Sequence, residues 1–445
     1  MRQLFQEQPS LTGPMVEHRH AEELAVIDQI LRDHPAIIEW VLQDLRRGVY
    51  AHEGREGMTA DGVLRTALLK QMEGWSYDEL HFHLLDSSTY RWFAGFGWAD
   101  PVPGRSTLQR NIKRITEETW QAVNQTLLGY ARKERVENGR KVRVDATVTE
   151  TDIHHPTDSS LLWDAVRVLT RLLAQATERF GVRRFPSRAR RAKRRAMDVL
   201  NARNRRKRTK AYRDLLKVAR ETLGYAEEAT SQMERMADVM ALLSAAEIRR
   251  FMGLAERVID QTERRVLHGE QVPAAEKLVS IFEEHTDIIV KDRRDTLYGH
   301  KLTLTSGRSG LILDWVVEDG NPADSTLALR MIKRQEEIYG KVPRQAAFDG
   351  GYASKANLRE VKTAGVQDVS FSKKRGLEVL DMTKSQRVYR RLRNFRAGIE
   401  SWISFLKRCF GLDRCSWRGA SGFARYVGAS IVAANLLTLA RHLMM

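Results

Sequence analysis

The sequence predicts an α/β protein in which an all-helical N-terminal region precedes a mixed sheet flanked by helices, with a long basic helical insertion inside the sheet-bearing part. Three observations carry this expectation. Strand-like segments alternate with helical ones from about residue 285 onward. An isolated strand pattern, KVRVDATVTETDI, stands more than 130 residues before them. Between the two lies a helical stretch whose charges are nearly all positive.

A chain of 445 residues exceeds the usual size of a single core, so more than one compact unit is expected. The boundaries suggested by pattern are 1–138 (helical), 139–160 (first strand), 161–284 (basic insertion) and 285–445 (the remaining strands and C-terminal helices). With 74 Lys and Arg against 57 Asp and Glu, the formal net charge is +17, which favours a polyanionic partner. The two cysteines, Cys409 and Cys415, are too few for a disulfide framework and fit a reducing compartment. The opening MRQLFQEQPSLTGP lacks the apolar core of a signal peptide. The charge-free run Val427 to Ala440 is shorter than the ~20 residues that span a bilayer and reads as a buried helix. A cytoplasmic protein without a membrane partner is therefore expected.

In the first region, Val63, Ala67, Leu68 and Met72 fall at helical spacing, and Ser76 to Glu79 form a capping box for the next helix. After Pro101 to Gly104, RSTLQRNIKRI starts a helix whose polar side carries Arg110, Lys113 and Arg114. This is either a helix-turn-helix-like DNA contact or a bundle with solvated charges. In KVRVDATVTETDI the apolar Val142, Val144, Ala146 and Val148 alternate with polar residues, so Asp145 lies opposite the apolar face. Asp158 or Ser159 then caps a helix.

The stretch Arg179 to Arg213 holds sixteen Lys or Arg and one acid, Asp198. Such density faces solvent or a polyanion, and Arg190, Arg191, Arg194 and Arg195 are candidate contacts to DNA phosphates. Further on, QAAFDGGYAS reads as a short buried strand ending in Asp349 and a glycine turn. Asp349 either merely opens that turn or delivers a carboxylate at the mouth of a sheet. A final long helix, Tyr389 to Phe410, carries an apolar stripe of Ile399, Trp402, Ile403, Leu406 and Phe410. Its other face holds Arg393, Arg396, Glu400 and Lys407. Those charges are either helix salt bridges or a metal-binding carboxylate beside phosphate-contacting cations.

Asp145, Asp349 and Glu400 are thus three acids in settings where two divalent ions about 4 Å apart could be held for in-line displacement at phosphorus. Oxygen ligands suit Mg²⁺ or Mn²⁺. Through LLKQMEGWSYDELHFHL, STLQRNIKRI, KVRVDATVTETDIHHPTDSSLLWD, LYGHKLTL, FDGGYAS and FRAGIESWISFLKRCFGL, the sequence resembles the DDE insertion-sequence transposases, and within them the ISNCY grouping. The resemblance implies a ribonuclease H-like core with Asp145, Asp349 and Glu400 as catalytic, metal-holding acids. It also implies cleavage at terminal inverted repeats, transfer of 3′-hydroxyl ends to target DNA, and a homodimer or larger synaptic assembly on the bacterial nucleoid. Arg396 and Lys407 match the spacing of a Tyr-Arg-Glu-Lys signature and would contact the cleaved strand, while Arg393 stands at its Tyr position. An inactive DNA-binding regulator and a ribonuclease H-like DNA nuclease are the alternatives.

Overall fold

The computed structural model describes residues 4, 16–48, 57–291 and 295–445; the N-terminal segment read above for a signal peptide otherwise lies outside them. Seven helices come first: α1 (Arg19–Arg32), α2 (Ala36–Arg46), α3 (Ala60–Met72), α4 (Tyr77–Asp86), α5 (Ser88–Phe93), α6 (Arg105–Ile112) and α7 (Glu117–Lys133). Then follow β1 (Lys141–Thr151), α8 (Asp158–Phe180), α9 (Ala189–Asn201), α10 (Arg205–Glu234), α11 (Val239–Thr262), β2 (Asp287–Lys291), β3 (Asp295–Ser306), β4 (Ile312–Val317) and α12 (Ala328–Tyr339). The chain continues through β5 (Gln345–Phe348), α13 (Lys355–Thr363), β6 (Asp368–Phe371), α14 (Val379–Met382), α15 (Gln386–Cys409), β7 (Arg414–Cys415) and α16 (Ala420–Leu443).

Two units emerge from the contacts, Met1–Asp152 with His300–Met445, and Ile153–Gly299. In the first, the sheet order is β3–β1–β5–β6, with β4 antiparallel to β3 and β7 parallel to β1. β1, β5 and β6 run parallel, and α15 lies against all three. This is the mixed, helix-flanked sheet of a ribonuclease H-like core. Parallel strands are covered on both faces, and β1 shows it. The alternation read in its sequence does not leave a wet face: Arg143 and Thr149 are buried along with Val142 and Val144.

The N-terminal helices share that unit's core. The contact division falls after Asp152, whereas the sequence pattern changes near residue 138. α16 packs on α1, α3, α7 and β4. At 24 residues it is longer than its charge-free run and would suffice to cross a membrane by length, yet 89% of its apolar window is buried inside the protein. Asn435 on α16 joins the layers: its Oδ1 accepts from Ile312 N at 2.9 Å, and its Nδ2 donates to Ile312 O at 2.8 Å and to Asn124 Oδ1 at 2.7 Å. The capping box at Ser76 is present, with Glu79 Oε2 accepting from Ser76 N at 2.7 Å. α4 packs on α6 with α5 between them in the chain, so the helix-turn-helix reading does not describe consecutive helices.

In the second unit α8, α9, α10 and α11 pack around Leu162, Leu169, Leu215, Met233 and Ile248. The cap of α8 is Thr157, not Asp158 or Ser159; Thr157 Oγ1 accepts from Ser160 N at 3.1 Å. Asp158 instead turns inward, 3.0 Å from Arg265 Nη1. Within this unit β2 pairs antiparallel with the first residues of β3.

Candidate active site

The register between β1 and β5 builds the site. Val142 lies opposite Ala346 and Val144 opposite Phe348, so Asp145, in the middle of β1, and Asp349, just past the end of β5, stand at the same level on adjacent parallel strands. β6 continues the row: Phe348 pairs with Phe371, and Ser372 beyond it donates to Asp349 Oδ1 at 2.8 Å. Val144, Phe348 and Phe371, each fully buried, anchor the three strands in the core just before Asp145, Asp349 and Ser372, where β5 and β6 end and β1 runs on.

α15 crosses this rim and brings the third acid. Ile399, Leu406, Leu392 and Tyr389 are buried on its inner face, and Tyr389 hydroxyl donates to Phe371 O at 3.0 Å. Trp402 and Ile403 of the expected apolar stripe are only half-buried. Close approach of the helix to β1 depends on Gly398. A Cβ there would collide with the guanidinium of Arg143, which donates to Phe395 O at 2.8 Å and to Ser306 Oγ at 3.2 Å. Burial pushes the Arg143 guanidinium down to about 10.

Arg396, one turn before Glu400, ties the three acids together. Its Nη2 lies 2.9 Å from Asp145 Oδ2 and 3.0 Å from Asp349 Oδ1, and its Nη1 lies 2.7 Å from Glu400 Oε1. The side chains of Arg396 and Asp145 are each 13% exposed, that of Asp349 37% and that of Glu400 64%. Burial pushes the Asp145 carboxyl up to about 6, opposed by Arg396 and reinforced by the negative charges of Asp349 and Asp324. Burial also works to raise Asp349, but the Ser372 hydroxyl, the Gly350 N–H, Arg396 and the Gly351 N–H outweigh it and hold this acid below its ordinary value.

The glycines after Asp349 have a different reason from the one their type suggests. Neither Gly350 nor Gly351 adopts a positive φ; the segment Gly350–Tyr352 is a 3₁₀ turn. What they supply is room. A Cβ on Gly350 would sit 2.9 Å from the stem of Lys373, and one on Gly351 would sit 2.5 Å from Asp324 Oδ2. Asp324 is the residue sequence reasoning missed. It lies in the NPADS turn before α12, pairs with Lys301 Nζ at 2.5 Å, and adds a fourth negative charge beside Asp145. Its only sequence signal is an acid between a strand and a helix.

The donor set fits divalent ions in chemistry: four carboxylates and no thiol. Among the described residues no three acids or histidines are already arranged around one ion. The cation that Asp145 and Asp349 share is the Arg396 guanidinium, which shows that their oxygens can converge on a positive charge. Lys407 stands farther along α15, 3.5 Å from Asp413, and Arg393 is exposed.

The other expected DNA contacts separate into two kinds. On α9, Arg190 and Arg194 are exposed, whereas Arg191 and Arg195 both engage Asp214 of α10. On α6 Arg110 is exposed. Beyond it, Lys113 lies over the Trp417 ring at 5.8 Å, and Arg114 donates to Arg47 O.

The family model described as Transposase DDE domain matches residues 284–436, and that described as Transposase domain (DUF772) matches residues 19–114. The chain belongs to the insertion-sequence DDE transposases. The matched segments of this transposase include Asp349 and Glu400, while Asp145 falls between them and is brought in by the β1–β5 pairing. No curated protein and no solved structure matches. A family of this kind acts on DNA and uses divalent metal ions.

Proposed function

We propose that the transposase binds the terminal inverted repeats of its element, hydrolyses the DNA ends with two Mg²⁺ or Mn²⁺ ions, and joins the resulting 3′-hydroxyls to target DNA. Asp145, Asp349 and Glu400 are the residues that would hold those ions. The observation that carries this reading is the parallel register that sets Asp145 beside Asp349, with Arg396 linking both to Glu400. When bound, the ions would activate the attacking oxygen and stabilise the leaving one.

The chain's own residues do the rest. Ser372 and the Gly350 and Gly351 amides keep Asp349 ionised and oriented. Asp145, largely buried, faces the Arg396 guanidinium and is one of the carboxylates that would hold an ion in its place. Glu400, exposed on α15, can turn between Arg396 and an ion. Arg396, Arg393 and Lys407, all on α15, would supply the positive charge for the phosphates of the cleaved strand. Arg110, Lys113 and Arg114 in residues 1–138, and Arg190 and Arg194 in the 161–284 insertion, are the contacts to duplex backbone, with Arg191 and Arg195 holding that surface in shape. Synapsis of two ends calls for a dimer or larger assembly, working on the nucleoid in the cytoplasm.

The deciding experiment is metal-dependent nicking of DNA carrying an element end. Asp349→Asn and Glu400→Gln are each expected to abolish both nicking and joining while end binding persists. Full activity in either variant would overturn the assignment.

A further inference from the structure

The turn that carries Asp324 is built onto the turn that carries Asp349. Asp324–Thr326 is a 3₁₀ turn just before α12, and Gly350–Tyr352 is the 3₁₀ turn that follows Asp349. Asn357 of α13, itself buried, ties the two together: its Nδ2 donates to Ser325 O at 2.7 Å and to Tyr352 O at 2.8 Å. Gly351 then admits the Asp324 carboxylate, since a Cβ there would stand 2.5 Å from Asp324 Oδ2.

Holding a fourth acid at this rim works against the free protein. The negative charge of Asp324 is one of the two that help to raise Asp145, and like charges this close repel. Among the described residues, the ion pairs of the four carboxylates are made with two cations. Arg396 serves Asp145, Asp349 and Glu400, and Lys301 serves Asp324. Lys301, on β3, is buried, and its Nζ also donates to Pro322 O at 2.7 Å. Four negative charges thus face two positive ones, a deficit equal to the charge of one divalent ion.

A second observation points to a ligand. Tyr352 is fully buried, its ring lies against Phe348 with centroids 5.5 Å apart, and its hydroxyl has no hydrogen-bond partner. The charges that reach that hydroxyl are, in order, those of Asp324, Asp145, Glu318 and Asp349. Buried hydroxyls are normally bonded. A donor within reach of several carboxylates yet bonded to none suits an oxygen held among them, and a divalent ion such as Mg²⁺ usually keeps several waters.

We propose that Asp324 is a fourth carboxylate ligand of the divalent-ion site, neutralised by Lys301 in the free protein, and that the Tyr352 hydroxyl is a positioning group beside it. The proposal rests on the reading that Asp145 and Asp349 hold metal. The rival role for Asp324, pairing with Lys301 and nothing more, predicts a different outcome when both residues are replaced.

The test titrates the metal-free full chain with Mn²⁺, follows free Mn²⁺ by electron paramagnetic resonance, and measures urea unfolding without metal. Asp324→Asn is expected to weaken Mn²⁺ binding at least ~10-fold, the loss that follows even removal of a group one layer behind a metal ligand. Asp324→Glu should recover part of it. Lys301→Met should bind Mn²⁺ at least as tightly as the wild type while losing stability. The double variant, Lys301→Met with Asp324→Asn, should regain stability and still bind Mn²⁺ as weakly as Asp324→Asn. Tyr352→Phe keeps the ring and should weaken Mn²⁺ binding several-fold; unchanged affinity removes Tyr352 from the site. Wild-type Mn²⁺ binding by Asp324→Asn overturns the proposal. Mn²⁺ binding that returns with stability in the double variant overturns it too, since Asp324 would then serve only Lys301. Should Asp324→Asn fail to fold, the double variant carries the same comparison. Asp349→Asn in the same titration separates the two readings: if it loses Mn²⁺ and Asp324→Asn does not, the fourth ligand falls alone, and if neither loses it, the metal assignment of the triad falls as well.

Discussion

Replacing Arg396 with Met removes the charge that three acids share and keeps most of the side chain's volume, so its effects can be worked from the contacts. Breaking a buried ion pair costs about 3–5 kcal/mol, and an exposed pair is worth under ~1 kcal/mol. Only the Asp145 contact is deeply buried; Asp349 is a third exposed and Glu400 mostly so. Asp145 can also relieve part of the penalty by taking up a proton, because burial already raises it to about 6. The expected loss of stability is therefore about 2 kcal/mol at neutral pH, below the full cost of a buried pair. A divalent cation should restore it. An ion bound with a dissociation constant of ~1 mM stabilises the folded state by about 1.4 kcal/mol at 10 mM. The wild type should gain less, because the ion must first displace the guanidinium. Urea unfolding of both proteins with and without Mg²⁺ checks this, and titration calorimetry should show the variant binding Mg²⁺ more tightly. Equal stability of the two proteins without Mg²⁺, or equal stabilisation of both by Mg²⁺, refutes the view that Arg396 occupies the place of a metal ion.

Two further outcomes follow from close contacts. Gly351→Ala places a methyl 2.5 Å from Asp324 Oδ2, so the turn after Asp349 must shift. Strand cleavage is expected to fall at least ~10-fold, by analogy with ~1 Å misplacements in other active sites, while circular dichroism stays unchanged; unimpaired cleavage would show that the turn has slack. On α9, Arg190→Ala with Arg194→Ala should lower the salt slope of DNA binding by up to about two with little change in stability. Arg191→Ala with Arg195→Ala should do the reverse, loosening α9 from Asp214. Comparing salt titrations with urea unfolding for the two pairs tests the division, and identical behaviour of the pairs defeats it.

Local chemistry was legible in the sequence. The Ser76 capping box, the strand of Val142 to Val148 and the strand ending at Asp349 all follow from patterns spanning a few residues. What could not be read was anything set by a partner far along the chain. Arg143 looked solvent-facing because alternation cannot say what covers the second face, and here α15 does, 250 residues later. Arg191 and Arg195 looked like their neighbours because Asp214 lies just past the basic run on another helix. Gly350 and Gly351 suggested unusual backbone angles, but the demand for small residues comes from Lys373 and Asp324 across the turn. Asp324 itself carries no pattern, and only its approach to Gly351 and Lys301 marks it.

The place of α16 bears on how the chain is made. The helix that fills the gap between α1, α3, α7 and β4 is made after all of them, and the amide of Asn435 closes β4 only once it has been synthesised. The N-terminal helices therefore wait for some 300 residues of synthesis, tens of seconds at ~5–20 residues per second, with their apolar faces uncovered. The sheet that aligns Asp145 with Asp349 must wait too, since β5 is made only after the helical insertion that follows β1. A chain that stops before α16 leaves α1, α3, α7 and β4 without that cover, so such fragments meet chaperones and proteases before DNA does.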